Sequence, residues 1–164
     1  MVFVVLRHGE SEWNKLNKFT GLTDVALSEQ GKQEARLAGN LLKNCFFDFV
    51  FSSQLERTIH TAKIIADVQN NPVQLKPHNE FEERDYGDIT GKNKTELMEE
   101  HGEEQIKTWR RSFYQGPPGG ENLYDVTQRV GRGYDEYIKP LLEDKKNVLL
   151  VSHGNSLRAL FVHL

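Results

Sequence analysis

Two histidines that are each followed by glycine come directly after apolar runs at opposite ends of the chain. The segment RHG (residues 7–9) follows the run Val2 to Leu6, and SHGN (residues 152–155) follows the run Val148 to Val151. Near neutral pH an imidazole can act as a nucleophile or transfer a proton, and a guanidinium binds phosphoryl oxygens through its planar fork. These segments indicate chemistry on a phosphorylated anion, with a pair of solvated loops as the alternative.

The elements that must position these side chains alternate between strands and helices. Four runs rich in β-branched or aromatic residues predict strands: Val2 to Leu6, Phe47 to Phe51, Val73 to Leu75, and Val148 to Val151. The first and last are nearly continuous apolar runs, which is typical of strands buried on both faces of a parallel sheet. Gln74 makes the third run weaker and places it at a sheet edge.

Helical periodicity fills the intervals between these runs. Ser28 is a predicted cap of one helix, an apolar stripe from Leu55 to Ala66 predicts a second, and Leu123 to Leu141 predicts a long third. A last helix is predicted from about Asn155. This alternation predicts an α/β fold of three layers, a mostly parallel sheet flanked by helices, in one domain over 1–164. The polar stretch at about 87–120 breaks the alternation and is interpreted as a helical insertion that packs over the edge of the sheet.

The residues that follow the predicted strands are unusually rich in reactive and cationic groups. In open parallel sheets the ligand crevice lies beyond the carboxyl ends of the strands. Arg57 begins the helix after the second strand, Glu82, Glu83 and Arg84 follow the third, and serines at 52, 53 and 152 are possible nucleophiles. None of these serines lies in a G-x-S-x-G motif, so an imidazole nucleophile is favoured. Flanking arginines would repel a cation, which argues against a metal site.

Composition excludes several classes of protein. The 21 basic and 24 acidic residues give a net charge of −3, which argues against nonspecific binding to nucleic acid. A single cysteine, Cys45, forms no disulfide within the chain and is predicted to be a buried thiol. No apolar stretch is long enough for a membrane span, and the first residues do not resemble a signal peptide. We therefore predict a cytoplasmic protein that binds neither nucleic acid nor membrane.

Seven segments in order resemble the motifs of the cofactor-dependent phosphoglycerate mutases, in the histidine phosphatase superfamily. They are LRHGESEWN, FTGLTDVALSEQG, SSQLERTIHTA, FEERDYGDITGKNKTE, KTWRRSF, PPGGENL and SHGNSLRAL, and they cover nearly the whole chain. RHG alone marks the wider superfamily, whereas the ERDYG-to-GKNK segment and WRRS are typical of the mutase branch. Asp85 departs from the histidine or methionine that many members carry, and the link from WRRSF to PPGGE is short.

The resemblance implies a role for each matching residue. His8 would carry the phosphoryl group, Arg7, Arg57 and His153 would stabilise charge around it, and Glu83 would exchange a proton with the substrate hydroxyl, with Glu82 as the rival carboxyl. The other matching residues are implied to bind substrate: Ser11, Asn14, Thr20, Gly21, Tyr86, Lys94, Arg110, Arg111, Gly154 and Asn155. The remaining histidines, at positions 60, 78, 101 and 163, match no motif and are predicted to be structural.

The predicted function is the interconversion of 3- and 2-phosphoglycerate in glycolysis and gluconeogenesis, an isomerase reaction through phosphohistidine. The resemblance implies 2,3-bisphosphoglycerate as the priming donor, no metal, and a homo-oligomer (dimer or tetramer). One alternative is a phosphatase of the same superfamily, and another is a non-catalytic phosphate-binding scaffold on the same fold. Members of the family continue past SHGNSLRAL with a C-terminal tail that these 164 residues do not include. An uncovered site would admit water and favour hydrolysis.

Overall fold

The computed structural model describes residues 1–70 and 74–164 and contains a four-stranded parallel sheet. The strands are β1 (Phe3–Arg7), β2 (Phe49–Ser52), β3 (Leu75–Pro77) and β4 (Val148–Ser152), in the spatial order β1-β4-β2-β3. The predicted α/β class and parallel sheet are confirmed. The third strand lies at a sheet edge as predicted, but it spans Leu75–Pro77 where Val73 to Leu75 was predicted. Gln74 precedes the strand, and Val73 falls outside the described residues.

Helices cover both faces of the sheet and give the predicted three layers. The side chains of the strands alternate, so that Val50, Leu149 and Val151 face the layer formed by α2 (Glu29–Leu41) and α3 (Glu56–Gln69). Phe51, Val148 and Leu150 face the opposite layer, which contains α6 (Leu123–Gly133) and α8 (Gly154–His163). The short helices α1 (Glu12–Lys15) and α7 (Lys139–Glu143) complete the main body. Burial on both faces fixes the strands and therefore the residues that follow them.

The polar insertion forms two helices, α4 (Lys94–His101) and α5 (Glu103–Arg111). Its apolar residues Ile89, Leu97 and Ile106 form a small cluster around the buried ring of Phe19. Backbone hydrogen bonds join Phe19 to Lys92 and Gly91. The insertion therefore packs on the loop that follows β1, which places it above the carboxyl end of the sheet.

Two elements differ from the prediction in detail. The long third helix is interrupted by a π-helical segment, Tyr134–Ile138, immediately before Pro140. Proline has no N–H to donate to the carbonyl four residues earlier, so a regular α-helix cannot continue through this position. Strand β1 is only half-buried, because the sheet order leaves it at an edge while β4 takes the fully buried central place.

Smaller predictions are also resolved by the structure. Ser28 caps α2 by accepting the N–H of Gly31, as predicted. Cys45 is half-buried where full burial was predicted, because it lies in the turn after α2 and packs at the margin of the core. No helix within the described residues is long and apolar enough to cross a membrane.

Candidate active site

Strands β1 and β4 bring the two predicted histidines side by side. Arg7 is paired with Ser152 in the parallel register, so the next residues, His8 and His153, leave the sheet at the same level. The N–H of His8 extends the ladder by donating to the carbonyl of Ser152 at 3.0 Å. The ring centroids of the two histidines are 4.9 Å apart, in an edge-to-face arrangement.

The hydrogen bond of His8 fixes which of its nitrogens is free. Nδ1 lies 2.6 Å from the carbonyl oxygen of Gly9, and a carbonyl can only accept, so Nδ1 carries the proton. Nε2 then holds an unshared lone pair. Burial and the nearby Arg57 guanidinium lower the pKa of His8 to about 3. The ring is therefore neutral at physiological pH and presents the free lone pair that a nucleophile needs.

His153 is fully buried behind His8. Its Nε2 is 2.8 Å from the hydroxyl of Ser53, which is in turn 2.7 Å from the hydroxyl of Thr58. Its Nδ1 is buried and has no hydrogen-bond partner among the described residues. Burial, followed by the influence of His8 and of Arg57, lowers the pKa of His153 well below its usual value, so this ring is neutral as well.

Two arginines flank His8 in different ways. Arg57, at the start of α3, is 1% exposed and donates to the carbonyls of Thr23 and Gly21, both at 2.8 Å. Arg7, the last residue of β1, is exposed and lines the cleft in front of His8. One guanidinium is thus locked in place by the backbone, and the other is free to bind an incoming anion.

The beginning of α8 also faces the cleft. His153 is the N-cap and makes no capping hydrogen bond with its side chain. Gly154 and Asn155 line the cleft, where N–H groups of the first helical turn favour anions. Asn155 donates from its amide to the hydroxyl of Tyr86 at 3.0 Å. Burial, and then the charge of Glu83, raise the pKa of Tyr86, so its phenol stays protonated.

The two neighbouring carboxyl groups are placed differently. Glu83 lines the cleft, and its carboxylate accepts the N–H of Arg84 at 2.8 Å. Glu82 is not among the residues that line the cleft, although burial raises its pKa despite the opposing charge of Arg129. Placement therefore favours Glu83 over Glu82 as the group that reaches a ligand.

The insertion contributes three cations. Lys94 begins α4, and Arg110 and Arg111 end α5. The charged groups of Lys94 and Arg110 lie over the ring of Phe19, at 5.6 and 6.0 Å from its centroid. Burial and the neighbouring Arg110 lower the pKa of Lys94, against the opposing charge of Glu83.

All predicted site residues except Ser11 and His153 line one cleft of about 210 Å³. This set comprises Arg7, His8, Asn14, Thr20, Gly21, Arg57, Glu83, Tyr86, Lys94, Arg110, Arg111, Gly154 and Asn155. Ser11 is fully buried and is placed elsewhere than predicted: its hydroxyl accepts the N–H of Asn14, whose side chain accepts the N–H of Ser11. That capping box occupies the serine in starting α1.

The sequence interpretation missed three residues that line the cleft: Lys18, Phe19 and Arg158. Phe19 and Arg158 lie inside the quoted motifs and Lys18 lies just before one of them. Only the packing of the loop after β1 and the start of α8 shows that their side chains face inward. Arg84, which follows the third strand as the sequence indicated, is fully buried and does not line the cleft. Its guanidinium lies over the ring of Tyr86, 4.8 Å from the centroid.

The two glycines that follow the histidines differ in their steric surroundings. A Cβ on Gly9 would lie 2.2 Å from the carbonyl oxygen of Gly31, so Gly9 permits the His8 loop to contact the start of α2. Gly154 has no such neighbour: its nearest contact would be Arg7 Nε at 3.9 Å. Gly9 is therefore required by packing, whereas the backbone at Gly154 is open toward the cleft.

The charge of the cleft is the reverse of the charge of the chain. The described lining residues include one carboxylate, Glu83, and seven cations: Arg7, Lys18, Arg57, Lys94, Arg110, Arg111 and Arg158. The described residues contain no cluster of three or more histidine, cysteine or carboxylate side chains that could hold a metal ion. This arrangement can bind a ligand with several negative charges and present its phosphorus to His8.

Comparison with known sequences identifies the family. The histidine phosphatase superfamily (branch 1) matches residues 3–164. A 2,3-bisphosphoglycerate-dependent phosphoglycerate mutase of Cytophaga hutchinsonii is 47% identical, and the alignment covers 99% of this chain and 76% of the relative. A phosphoglycerate mutase of Schizosaccharomyces pombe is 45% identical, with 99% and 79% covered.

Solved structures with the same fold include phosphatases. A mycobacterial glucosyl-3-phosphoglycerate phosphatase complexed with VO3 superposes with a TM-score of 0.87 at 26% identity, covering 98% of this chain and 78% of that one. The alpha-ribazole phosphatase of Shigella flexneri gives a TM-score of 0.79 at 29% identity, covering 99% and 78%. The fold and the sequence together show that this chain is an enzyme of the histidine phosphatase superfamily, and that it belongs to the family of the 2,3-bisphosphoglycerate-dependent phosphoglycerate mutases.

Proposed function

We propose that this enzyme interconverts 3-phosphoglycerate and 2-phosphoglycerate through a phosphohistidine on His8. The observation that carries the proposal is the shared cleft, which joins a nucleophile and two arginines from the strand ends to three cations from the insertion. A phosphoglycerate has a carboxylate besides its phosphate, and a bisphosphoglycerate has a further phosphate. The cations of the insertion supply partners for those additional anionic groups.

Phosphoryl transfer to His8 follows from its tautomer. Nε2 attacks the phosphorus of the bound phosphomonoester, and the bond from phosphorus to the glycerate oxygen breaks. The departing oxygen takes a proton from Glu83, which the reaction leaves as a carboxylate. Arg7 and Arg57 stabilise the negative charge on the phosphoryl oxygens, as preorganised donors do in a buried site.

The reverse transfer uses the same groups. A glycerate hydroxyl attacks the phosphorus on His8 while Glu83 removes its proton, and the phosphorus–nitrogen bond breaks to return a neutral imidazole. General acid–base catalysis by one carboxyl in both directions requires that it alternate between protonated and ionised forms. Tyr86 and Asn155, which are hydrogen-bonded to each other, lie in the same cleft and would hold the substrate during the exchange.

The cleft also fits 2,3-bisphosphoglycerate, which would supply the first phosphoryl group to His8. The supporting observations are the excess of lining cations and the buried hydroxyl of Thr20, which lines the cleft and has no hydrogen-bond partner among the described residues. Of these residues, Arg7 and Arg57 would hold the phosphate that is transferred, and Lys94, Arg110 and Arg111 would hold the other anionic groups.

A phosphatase reaction is the second candidate, and the structural neighbours favour it. A phosphatase needs the same nucleophile and arginines but uses water as the acceptor. The insertion cations favour the mutase, because only a mutase must keep the glycerate bound until it accepts the phosphoryl group from His8; hydrolysis does not require this. Higher identity to the mutases, at 45–47%, than to the phosphatases, at 26–29%, supports the same choice.

The experiment incubates the enzyme with 2,3-bisphosphoglycerate and measures acid-labile phosphate on His8 by mass spectrometry. Addition of 3-phosphoglycerate then tests for the formation of 2-phosphoglycerate. We expect stoichiometric phosphohistidine and its transfer to glycerate, without change when a chelator is added. Absence of phosphohistidine would reject both enzymatic candidates, and release of inorganic phosphate alone would favour the phosphatase.

A further inference from the structure

The segment that carries Glu83 and Tyr86 has little regular structure of its own. It lies between two single 3-10 turns, Asn79–Phe81 and Gly87–Ile89, and residues 82–86 belong to neither helix nor strand. Backbone carbonyls in such a segment have no ladder to join and need other donors when they are buried. What holds this segment therefore decides where the Glu83 carboxylate lies.

One guanidinium from outside the cleft supplies most of those donors. Arg129, on α6, donates from Nη1 to the carbonyls of Glu80 at 3.0 Å, Glu82 at 3.1 Å and Asn79 at 3.4 Å. Its Nη2 reaches the carbonyl of Glu83 at 3.4 Å. Arg129 thus bonds two carbonyls of the 3-10 turn before the segment and two of the segment itself, including that of the proposed acid–base group.

A carboxylate orients this guanidinium and holds the other end of the segment. Glu121 accepts from Arg129 Nε at 3.1 Å and from Nη2 at 2.8 Å, in a bidentate pair. The same carboxylate accepts the N–H of Asp85 at 2.9 Å, and the N–H of Glu121 donates to the carbonyl of Asp85 at 3.0 Å. Residues 79–85 are therefore tied to one ion pair on both sides of Glu83.

Two serines complete the support from the main body. Ser152, at the end of β4, donates to the carbonyl of Phe81 at 2.7 Å, and Ser156, on α8, donates to the carbonyl of Glu82. The strand and helix that position His153 thus also fix this segment. The ion pair is mostly buried, with 19% and 25% of its side chains exposed, which limits screening by solvent.

We propose that Arg129 and Glu121 are positioning residues, which set the place of the Glu83 carboxylate relative to the substrate hydroxyl. The proposal rests on the proposed function, because it assigns proton transfer to Glu83. Neither residue lines the cleft, so neither touches the substrate. Catalysis is sensitive to such placement: a displacement of about 1 Å can cost roughly 10²-fold in rate. A lysine cannot reproduce the arrangement, because it lacks the planar fork that bonds a carboxylate and several carbonyls at once.

The experiment compares Arg129→Met, Arg129→Lys and Glu121→Gln with the control Arg132→Met, an exposed arginine on the same helix. We expect kcat for 3-phosphoglycerate, per phosphorylatable His8, to fall about 10- to 100-fold in Arg129→Met and less in the other two. KM should change less than about threefold, because the cations that bind the substrate are untouched. Arg132→Met should behave like the wild type.

A second substrate separates positioning from general damage. p-Nitrophenolate departs from phosphorus without needing a proton, so its first-turnover release reports the attack by His8 without help from Glu83. We expect the rate of this burst in Arg129→Met to stay within about threefold of wild type. Hydrogen exchange should meanwhile show faster exchange of the Asp85 amide, which donates to Glu121.

The outcomes distinguish this proposal from the proposed function. A wild-type enzyme that forms no 2-phosphoglycerate would reject the mutase reaction, whatever the variants do. An active wild type with unchanged kcat in Arg129→Lys and Glu121→Gln would overturn the positioning role. An equal loss in the burst and in kcat would also overturn it, since a loss shared by both substrates indicates damage to the whole site. If Arg129→Met fails to fold, the other two variants decide.

Discussion

Two groups of residues meet in the cleft, and they are held by different parts of the molecule. The strand-end group consists of Arg7, His8 and Arg57, which line the cleft, and His153, which lies buried behind His8; it comes from the ends of β1 and β4 and from the start of α3. The insertion group, which consists of Lys94, Arg110 and Arg111, stands on two polar helices with a small apolar cluster around Phe19. Three of the four strand-end residues are buried, whereas the insertion group is half-buried or exposed.

Under our proposal, this difference assigns two tasks to two groups: the strand-end group carries out the phosphoryl transfer, and the insertion group determines whether glycerate or water receives the phosphoryl group. The strand ends and the start of α3 hold His8 and Arg57 in fixed positions, as transfer of a phosphoryl group under our proposal requires, while Arg7 remains exposed. The insertion supplies side chains that can adjust to the rest of the ligand. Because phosphatases superpose on 98–99% of this chain, the fold does not decide between transfer to glycerate and transfer to water. Under our proposal, the side chains of the insertion group make that choice.

Removal of the nucleophile should have the largest effect. His8→Asn removes the Nε2 lone pair, and we expect kcat to fall by at least about 10⁴-fold for phosphoglycerate and for any other phosphomonoester. Steady-state assays with both substrates measure this, with His60→Asn as the control outside the cleft. A loss of activity confined to phosphoglycerate would contradict the nucleophile role and would indicate that His8, like the insertion group, only binds that substrate.

Removal of the exposed arginine should have the next largest effect. Arg7→Met should lower kcat by roughly 10²–10³-fold for both kinds of substrate, because it stabilises charge on the transferred phosphoryl group. Arg7 is exposed, so thermal unfolding should be little changed, and Arg36→Met on the outer part of α2 is the matched control. A change in KM alone would contradict this assignment.

Loss of the insertion arginines should change binding rather than attack. Arg110→Met and Arg111→Met should each raise KM for 3-phosphoglycerate roughly 10- to 100-fold, the usual value of a charge-assisted hydrogen bond. The p-nitrophenyl phosphate burst should be unaffected, because that substrate has no carboxylate or second phosphate. Lys107→Met, on the exposed face of α5, is the control. Equal effects on both substrates would remove the distinction between the two groups.

The smallest expected effect is on stability, and it concerns the buried histidines. The pKa of His8 is about 3 when folded, against 6.5 normally, so below pH 6.5 only the unfolded chain gains this proton. The free energy of unfolding should therefore decrease as the pH is lowered, and His8 should account for a loss of about 2 kcal/mol between pH 7 and pH 5. His153 acts in the same direction, and Glu82, whose pKa is raised, acts in the opposite one.

Urea unfolding of wild type and His8→Asn at pH 7, 6 and 5 measures this contribution as a difference. The variant should lose less stability on acidification. Parallel curves for the two proteins would contradict the burial of a neutral His8.

Local patterns in the sequence predicted the strand ends well, because burial on both faces and turn residues are visible in short segments. These patterns alone place His8, Arg57, Glu83 and Gly154 at one edge of the sheet. They could not show that Ser11 caps a helix, because the same serine in the same motif could face either way.

Local patterns could not predict contacts between residues that are far apart in the sequence. Arg129 lies 46 residues from Glu83 and reads in the sequence as an ordinary polar position of an amphipathic helix. The hydrogen bond between Ser53 and His153 and the contact of Lys94 and Arg110 with Phe19 depend likewise on packing between elements. Only the folded arrangement shows that they belong to the site.

The most direct test of the account is the fate of the phosphoryl group on His8. Enzyme labelled with ³²P from 2,3-bisphosphoglycerate is mixed with excess 3-phosphoglycerate, quenched within one turnover, and analysed for label in glycerate esters and in inorganic phosphate. We predict label mainly in the glycerate esters for wild type, and a shift toward inorganic phosphate when Arg110 and Arg111 are both replaced by Met. Label released to water in both proteins would contradict the claim that the insertion group directs transfer to glycerate.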